Sequence, residues 1–81
     1  MTAIMSDESE AVDVRDMLCA QALAQVDGAM RRLLPGSTLP VIANAADVLR
    51  DLATWTRDRG HALVAAELRE GDTWLRIRKA G

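Results

Sequence analysis

The 81-residue sequence contains no phenylalanine or tyrosine, one histidine and one cysteine. Because an intramolecular disulfide needs two cysteines, this chain cannot form one, and its cysteine and histidine do not have the spacing of a metal site. No apolar run approaches the length that crosses a membrane, and no signal-peptide pattern opens the chain. These absences predict a cytoplasmic protein that holds neither a metal nor an organic cofactor.

A large excess of charge is also missing, because ten Lys and Arg residues stand against twelve Asp and Glu residues, for a net charge of -2. Phosphate affinity comes chiefly from clustered basic residues, so a general nucleic-acid binder is not expected. Eighty-one residues suffice for one small domain. We predict that residues 11–81 form it, with a core of Ala, Val, Leu, Ile and Met. Residues 1–10, acidic and without periodicity, are predicted to be a disordered tail.

The pattern of apolar residues alternates between the periods of strands and helices. Strands are predicted at 11–15, 37–43, 61–68 and 73–79, and helices at about 17–34 and 44–60. Right-handed crossovers would place both helices on one side of the sheet. The predicted fold is therefore a two-layer α/β sandwich of order β-α-β-α-β-β, with a mixed four-stranded sheet and two helices on one face.

Residues typical of helix ends lie at the boundaries of the two predicted helices. Asp16 is the expected N-cap of the first helix and Asn44 that of the second. Pro35 stops the first helix, and Gly60 ends the second. Pro40 is the awkward residue of the second strand, because it lacks a ladder donor and belongs on an edge or at an irregularity.

The single cysteine, Cys19, lies where the first strand gives way to the first helix. A thiol at a helix start faces unpaired backbone amides and the positive end of the helix dipole, and both favour the thiolate. This position predicts a nucleophilic cysteine that needs no metal. The alternative is that Cys19, four residues before Leu23 on the apolar stripe, is a small buried hydrophobic residue.

Several motifs occur together in one register over about residues 11–81. They are a cysteine at the start of helix one, Leu34-Pro35-Gly36, Val48-Leu49-Arg50-Asp51-Leu52, Trp55, Arg59-Gly60-His61 and Ile77-Arg78-Lys79. This series resembles the TusA/SirA-like sulfur-carrier family. The resemblance implies the same sandwich and a persulfide carried on Cys19. It also implies two partners, a cysteine desulfurase or rhodanese-type sulfur donor and a sulfur-acceptor protein.

The chain departs from the family at its most specific motif. The family reads Cys-Pro-x-Pro, and this chain has Ala20 and Ala22 in place of both prolines; the family's glycine three residues before the cysteine is Asp16. The Asp16 carboxylate would disfavour an anion on the sulfur unless Arg15 offsets it. The residues predicted to set the thiol's charge and its docking surface are Arg15, Asp16, Ala20 and Gln21.

Three functions remain open. The first is a sulfur relay through Cys19. The second is a non-catalytic interaction or regulatory module that keeps the sandwich and has lost sulfur transfer, which the missing prolines favour. The third, ranked last, is nucleic-acid binding through Trp74, Arg76 and Arg78, although a partner protein or a homodimer contact explains an exposed tryptophan equally well. His61 is predicted to be structural or solvent-exposed.

Overall fold

The computed structural model describes residues 11–80 and confirms the predicted order of elements. The prediction of a disordered tail at residues 1–10 lies outside the described residues. The strands are β1 (Val12–Asp13), β2 (Thr38–Ala43), β3 (Ala62–Arg69) and β4 (Asp72–Arg78), and the helices are α1 (Cys19–Arg31) and α2 (Ala46–Asp58).

The four strands form one mixed sheet in the order β1-β2-β4-β3. β1 is parallel to β2, and β4 is antiparallel to both of its neighbours. The helix α2 therefore connects β2 to β3 by crossing over β4, which inserts between them by a hairpin. This places the starts of both helices, and so Cys19, at the end of the sheet where β1 and β2 finish.

Pro40 lies inside the sheet rather than on a full-length edge strand. It pairs with Arg76 of β4, while β1 on its other side reaches only Val41 and Ile42. β2 is thus locally an edge at Pro40, where the short β1 has not yet begun its pairing. The edge position predicted for this proline is met locally, because the neighbouring strand β1 is too short to reach it.

The core lies between the helices and one face of the sheet. α2 contributes Val48, Leu52 and Thr56, all at most 2% exposed. The Thr56 hydroxyl donates a hydrogen bond of 2.7 Å to the Leu52 carbonyl, so its burial leaves no donor unsatisfied. The remaining buried members of the cluster are Val14, Ala22, Val26, Ala29, Met30, Leu39, Val41, Ala43, Leu75 and Ile77.

The first helix is shorter than its apolar pattern predicts. It begins at Cys19 rather than at about residue 17 and ends at Arg31, three residues before the predicted end. The second helix ends at Asp58, close to the predicted end. Arg59 is its C-cap, and Gly60 follows with a φ of 81°. The capping predictions for Asp16 and Asn44 are wrong, since Leu18 and Ala45 occupy those positions.

Substitution by alanine is expected to change the stability in opposite directions at Gly28 and at Gly60, although both glycines have open space around them. A Cβ at Gly28 or Gly60 would meet no atom within 4 Å, but only Gly60 has a positive φ. We expect Gly28→Ala to raise the unfolding free energy by about 0.5–1 kcal/mol, because alanine is the better residue inside a helix. Gly60→Ala should lower it by about 1 kcal/mol. Urea unfolding followed by circular dichroism measures both, and changes of the same sign would contradict this explanation.

The outer strand β3 is the least covered part of the sheet. Leu63, Val64 and Leu68 are 42%, 47% and 73% exposed. A register shift between Leu63 and Ala65 marks a bulge, which interrupts the regular edge that another strand could pair with. Between residues 11 and 80 neither 13-residue helix is long and apolar enough to cross a membrane.

Candidate functional site

Cys19 is the first residue of α1 and is partly exposed. Leu18, which caps the helix, has extended backbone and offers no side-chain oxygen to the first amides. The helix start is instead held by Gln21, whose Oε1 accepts a 3.1 Å hydrogen bond from the Leu18 backbone N–H. Gln21, predicted to shape the thiol's environment, therefore fixes the helix start. Ala20 and Leu18 are exposed beside the thiol.

Asp16 joins the loop before α1 to the loop before α2. Its backbone N–H donates to Asn44 Oδ1, and Asn44 Nδ2 donates to Asp16 Oδ1, each at 3.0 Å. Asp16 has a φ of 62°, a conformation that glycine adopts freely and aspartate tolerates. This explains how aspartate stands where the TusA/SirA pattern has glycine. It also corrects the cap prediction, because both side chains are engaged with each other.

Arg15 forms ion pairs with two carboxylates. Its guanidinium donates to both oxygens of Asp13 at 2.9 and 2.7 Å and to Asp72 Oδ2 at 2.9 Å. These hydrogen bonds hold the pKa of Asp13 at about 2. The guanidinium thus belongs to an exposed cluster that joins β1 to β4. Within residues 11–80, no hydrogen bond or ion pair supports the alternative that Arg15 offsets negative charge at the sulfur.

The charges that act on the thiol come from the second helix. The carboxylate of Asp51, by hydrogen bonding, is the largest cause that raises the pKa of Cys19 from its ordinary 9.0 to about 11, followed by partial burial and by Asp47. The expectation that the helix start lowers this pKa is therefore wrong. Two nearby carboxylates and partial burial favour the protonated thiol.

Sequence reasoning placed Asp51 only within the family resemblance and assigned neither Asp47 nor Asp51 to the thiol. Both face the thiol because they are four residues apart on α2 and therefore share one side of that helix. Asp47 also accepts a 2.9 Å hydrogen bond from the Val48 N–H. The spacing of the two aspartates was a visible signal, but nothing in the sequence shows that this side of α2 lies against Cys19.

The rate at which Cys19 reacts with iodoacetamide is expected to reach half its maximum near pH 11, rather than at the ordinary 9.0. Thiolate is the reacting species, and the carboxylates hold the thiol protonated. The folded state keeps this proton above pH 9 while the unfolded chain loses it, so the fold loses stability as pH rises from 9 to 11. Urea-unfolded protein is the control; a folded midpoint at or below its midpoint would contradict the expected effect.

A groove of about 270 Å³ lies between the two helices. Leu23, one turn after Cys19 on α1, and Trp55 of α2 provide its apolar part. The polar lining is formed by Asp51, Thr54 and Asp58. We call this surface the α1–α2 groove. The groove is linked to the thiol by Asp51, which lines the one and acts on the other.

His61 has a structural role. Its Nδ1 accepts a 3.0 Å hydrogen bond from the Ala80 backbone N–H. Its ring centroid lies 5.6 Å from that of Trp55. These contacts attach the end of the described chain to α2, and they agree with the sequence-based prediction that His61 is structural or solvent-exposed.

The residues considered for nucleic-acid binding lie on the sheet face opposite the helices. Trp74 is partly buried there, and the Arg69 guanidinium lies 4.7 Å from its ring centroid. One face of the ring is thus already used by a cation from the same chain. No observation favours a stacking platform for bases at this position.

Comparisons with known proteins cover the whole described fold. Residues 10–79 match a family model described as "Sulfurtransferase TusA". A protein of Aquifex aeolicus (strain VF5) named "Putative sulfur carrier protein" is 27% identical over 73 residues, which are 90% of this chain and 37% of that protein. The chain thus spans little more than a third of the length of this curated relative. The family match includes both helices and all four strands.

Proposed function

This chain belongs to the TusA sulfurtransferase family, and from that premise we propose that it carries sulfur as a persulfide on Cys19 between a donor protein and an acceptor protein. The observation that carries the proposal is the position of the single cysteine, partly exposed at the first residue of α1. A cysteine desulfurase or a rhodanese-type protein is the proposed donor. A single unpaired thiol suits the reducing cytoplasm, where we place the relay.

The proposed transfer consists of two exchanges in which sulfur is neither lost nor gained. The Cys19 thiolate attacks the terminal sulfur of a donor persulfide; a new S–S bond forms at Cys19, the donor's S–S bond breaks, and the donor leaves as a thiolate. The acceptor's thiolate then attacks the terminal sulfur on Cys19, which leaves as a thiolate and takes up a proton. No outside oxidant or reductant is needed. Since the chain has no second cysteine, release depends on a partner.

The raised pKa makes the isolated protein slow in this reaction. With a pKa of about 11, roughly one molecule in 10,000 carries the thiolate at pH 7. A thiol of high pKa is also a poor leaving group in the second exchange. Efficient transfer therefore requires that a bound partner change the surroundings of Cys19.

The second candidate function is a non-catalytic interaction or regulatory module built on the same sandwich. The raised pKa of Cys19 favours it, because a protonated thiol is inert towards persulfides. The alanines at positions 20 and 22, in place of the two motif prolines, favour it as well. Such a module would bind the same partners without carrying sulfur.

Intact-mass analysis distinguishes the two functions. The purified protein is incubated with a cysteine desulfurase and cysteine, and in parallel with a persulfidated rhodanese, and weighed before and after a reductant wash. A carrier gains one sulfur atom that the reductant removes. No gain from either donor would reject the carrier function and support the interaction module.

A further inference from the structure

The α1–α2 groove combines an apolar floor with acidic walls. Leu23 and Trp55 are partly buried against the core, and the Arg59 guanidinium lies 5.9 Å from the Trp55 ring centroid. Arg59 thus lies beside one part of the Trp55 ring, while the ring also contributes to the lining of the groove. An occupant of this groove therefore needs an apolar group for Leu23 and Trp55, together with positive charge for the carboxylates around them.

Helical periodicity aligns the acidic residues of α2 with the thiol. Asp47, Asp51 and Asp58 occupy positions i, i+4 and i+11, and so lie on one stripe of the helix. Asp58 has an ion pair of 3.8 Å with Arg57, and both side chains are more than 60% exposed, so the pair is weak. The described residues show no ion pair for Asp47 or Asp51. A row of carboxylates thus runs along α2 from the residues beside the sulfur to the groove.

We propose that the protein exchanging sulfur with Cys19 docks in the α1–α2 groove through a segment in which an apolar side chain is flanked by lysine or arginine. This inference rests on the proposed sulfur-carrier function and specifies the partner of that site. The apolar side chain would contact Leu23 and Trp55, and the cations would pair with Asp51 and Asp58. A nucleic acid is a poor occupant, because the acidic stripe repels phosphate.

Docking of this kind would activate the thiol. A cation that pairs with Asp51 withdraws the carboxylate from the sulfur and adds positive charge beside it, and both changes favour the thiolate. The carboxylates that hold the pKa of Cys19 near 11 in the isolated protein would then be neutralised only when a partner is present. Sulfur transfer would be confined to the docked complex, and adventitious thiol reactions would be suppressed in the free protein.

Two synthetic donor peptides test the proposal with the full chain. Each contains one leucine next to a persulfidated cysteine, flanked by lysines in one peptide and by glutamates in the other. Intact mass follows sulfur transfer to Cys19 at low salt. We expect the lysine donor to load the protein at least tenfold faster, and we expect 1 M salt to remove most of the difference, because exposed charges are then screened over about 3 Å.

Variants assign the effect to the groove. The double variant Asp51→Asn, Asp58→Asn should reduce the preference for the lysine donor at least fivefold, whereas Glu67→Gln, which removes a charge on the other sheet face, should preserve it. Non-reactive peptides with serine in place of the cysteine give a binding readout. In NMR spectra the lysine peptide should shift the indole N–H signal of Trp55 and leave that of Trp74 unchanged.

The outcomes separate the docking proposal from the carrier function. Equal loading by both donors, or a lysine peptide that shifts only the Trp74 signal, overturns the groove as the docking site while the carrier function stands. If neither donor loads the protein, the carrier function fails; docking is then judged by the Trp55 signal alone, and an unchanged signal overturns it too.

Discussion

A Cys19→Ser protein is expected to gain no reducible sulfur from either a cysteine desulfurase or a rhodanese donor. The chain has no other cysteine, so no second thiol can accept the transferred atom. Serine differs from cysteine in one atom, and the side chain lies at a partly exposed helix start, so the fold should be kept. Intact mass measures the loading, and the expected change is complete loss.

The control for this variant is its structure and stability. The circular dichroism spectrum should match that of the unsubstituted protein, and the unfolding free energy should fall by no more than about 1 kcal/mol, because Cys19 packs against the core but is only partly buried. Under those conditions a reducible mass gain in Cys19→Ser would show that sulfur resides elsewhere on the chain. That result would remove Cys19 from the proposed mechanism.

The double variant Asp47→Asn, Asp51→Asn is expected to lower the pKa of Cys19 from about 11 towards 9.0. Both changes remove a negative charge beside the sulfur, and Asp51→Asn replaces the charged acceptor with the largest effect by a neutral amide. The thiolate fraction at pH 7 should rise up to about 100-fold. Because nucleophilicity falls as the pKa falls, the rate of alkylation should rise about tenfold. Stopped-flow alkylation between about pH 7 and pH 11 measures both quantities.

The matched control is again Glu67→Gln, whose carboxylate forms a 2.9 Å ion pair with Arg69 on the sheet face away from the helices. It changes the net charge as a single aspartate substitution does, but should leave the alkylation profile unchanged. An alkylation rate at pH 7 that is the same in the double variant and in the unsubstituted protein would show that the aspartates do not control the thiol.

Much of the fold could be predicted because local signals agree with it. Pro35 and Gly60 lie just beyond the two helices, and Gly71 supplies the positive φ that the β3–β4 turn requires. Alternating residues in the last strand identify Leu75 and Ile77 as core, and both are buried. These features depend on near neighbours in the chain, which is why periodicity and turn chemistry suffice to find them.

The electrostatics of the site depend on contacts that local patterns do not report. Asp16 and Asn44 each have the side chain of a helix cap, yet they bond to each other across 28 residues of sequence. Arg15 lies four residues before the thiol in sequence but forms its ion pairs with Asp13 and Asp72. The family resemblance located Cys19, whereas the charge beside it follows from how α2 packs against α1.

The aspartates beside Cys19 also bear on how the protein withstands oxidants. Peroxides attack the thiolate and convert it to sulfenic acid and then to sulfinic and sulfonic acids, of which the last two are in general irreversible for a carrier thiol. A thiol kept protonated by Asp47 and Asp51 enters this sequence slowly. A resting pool of the protein would therefore keep its sulfur acceptor chemically intact during peroxide stress and remain ready to accept sulfur afterwards.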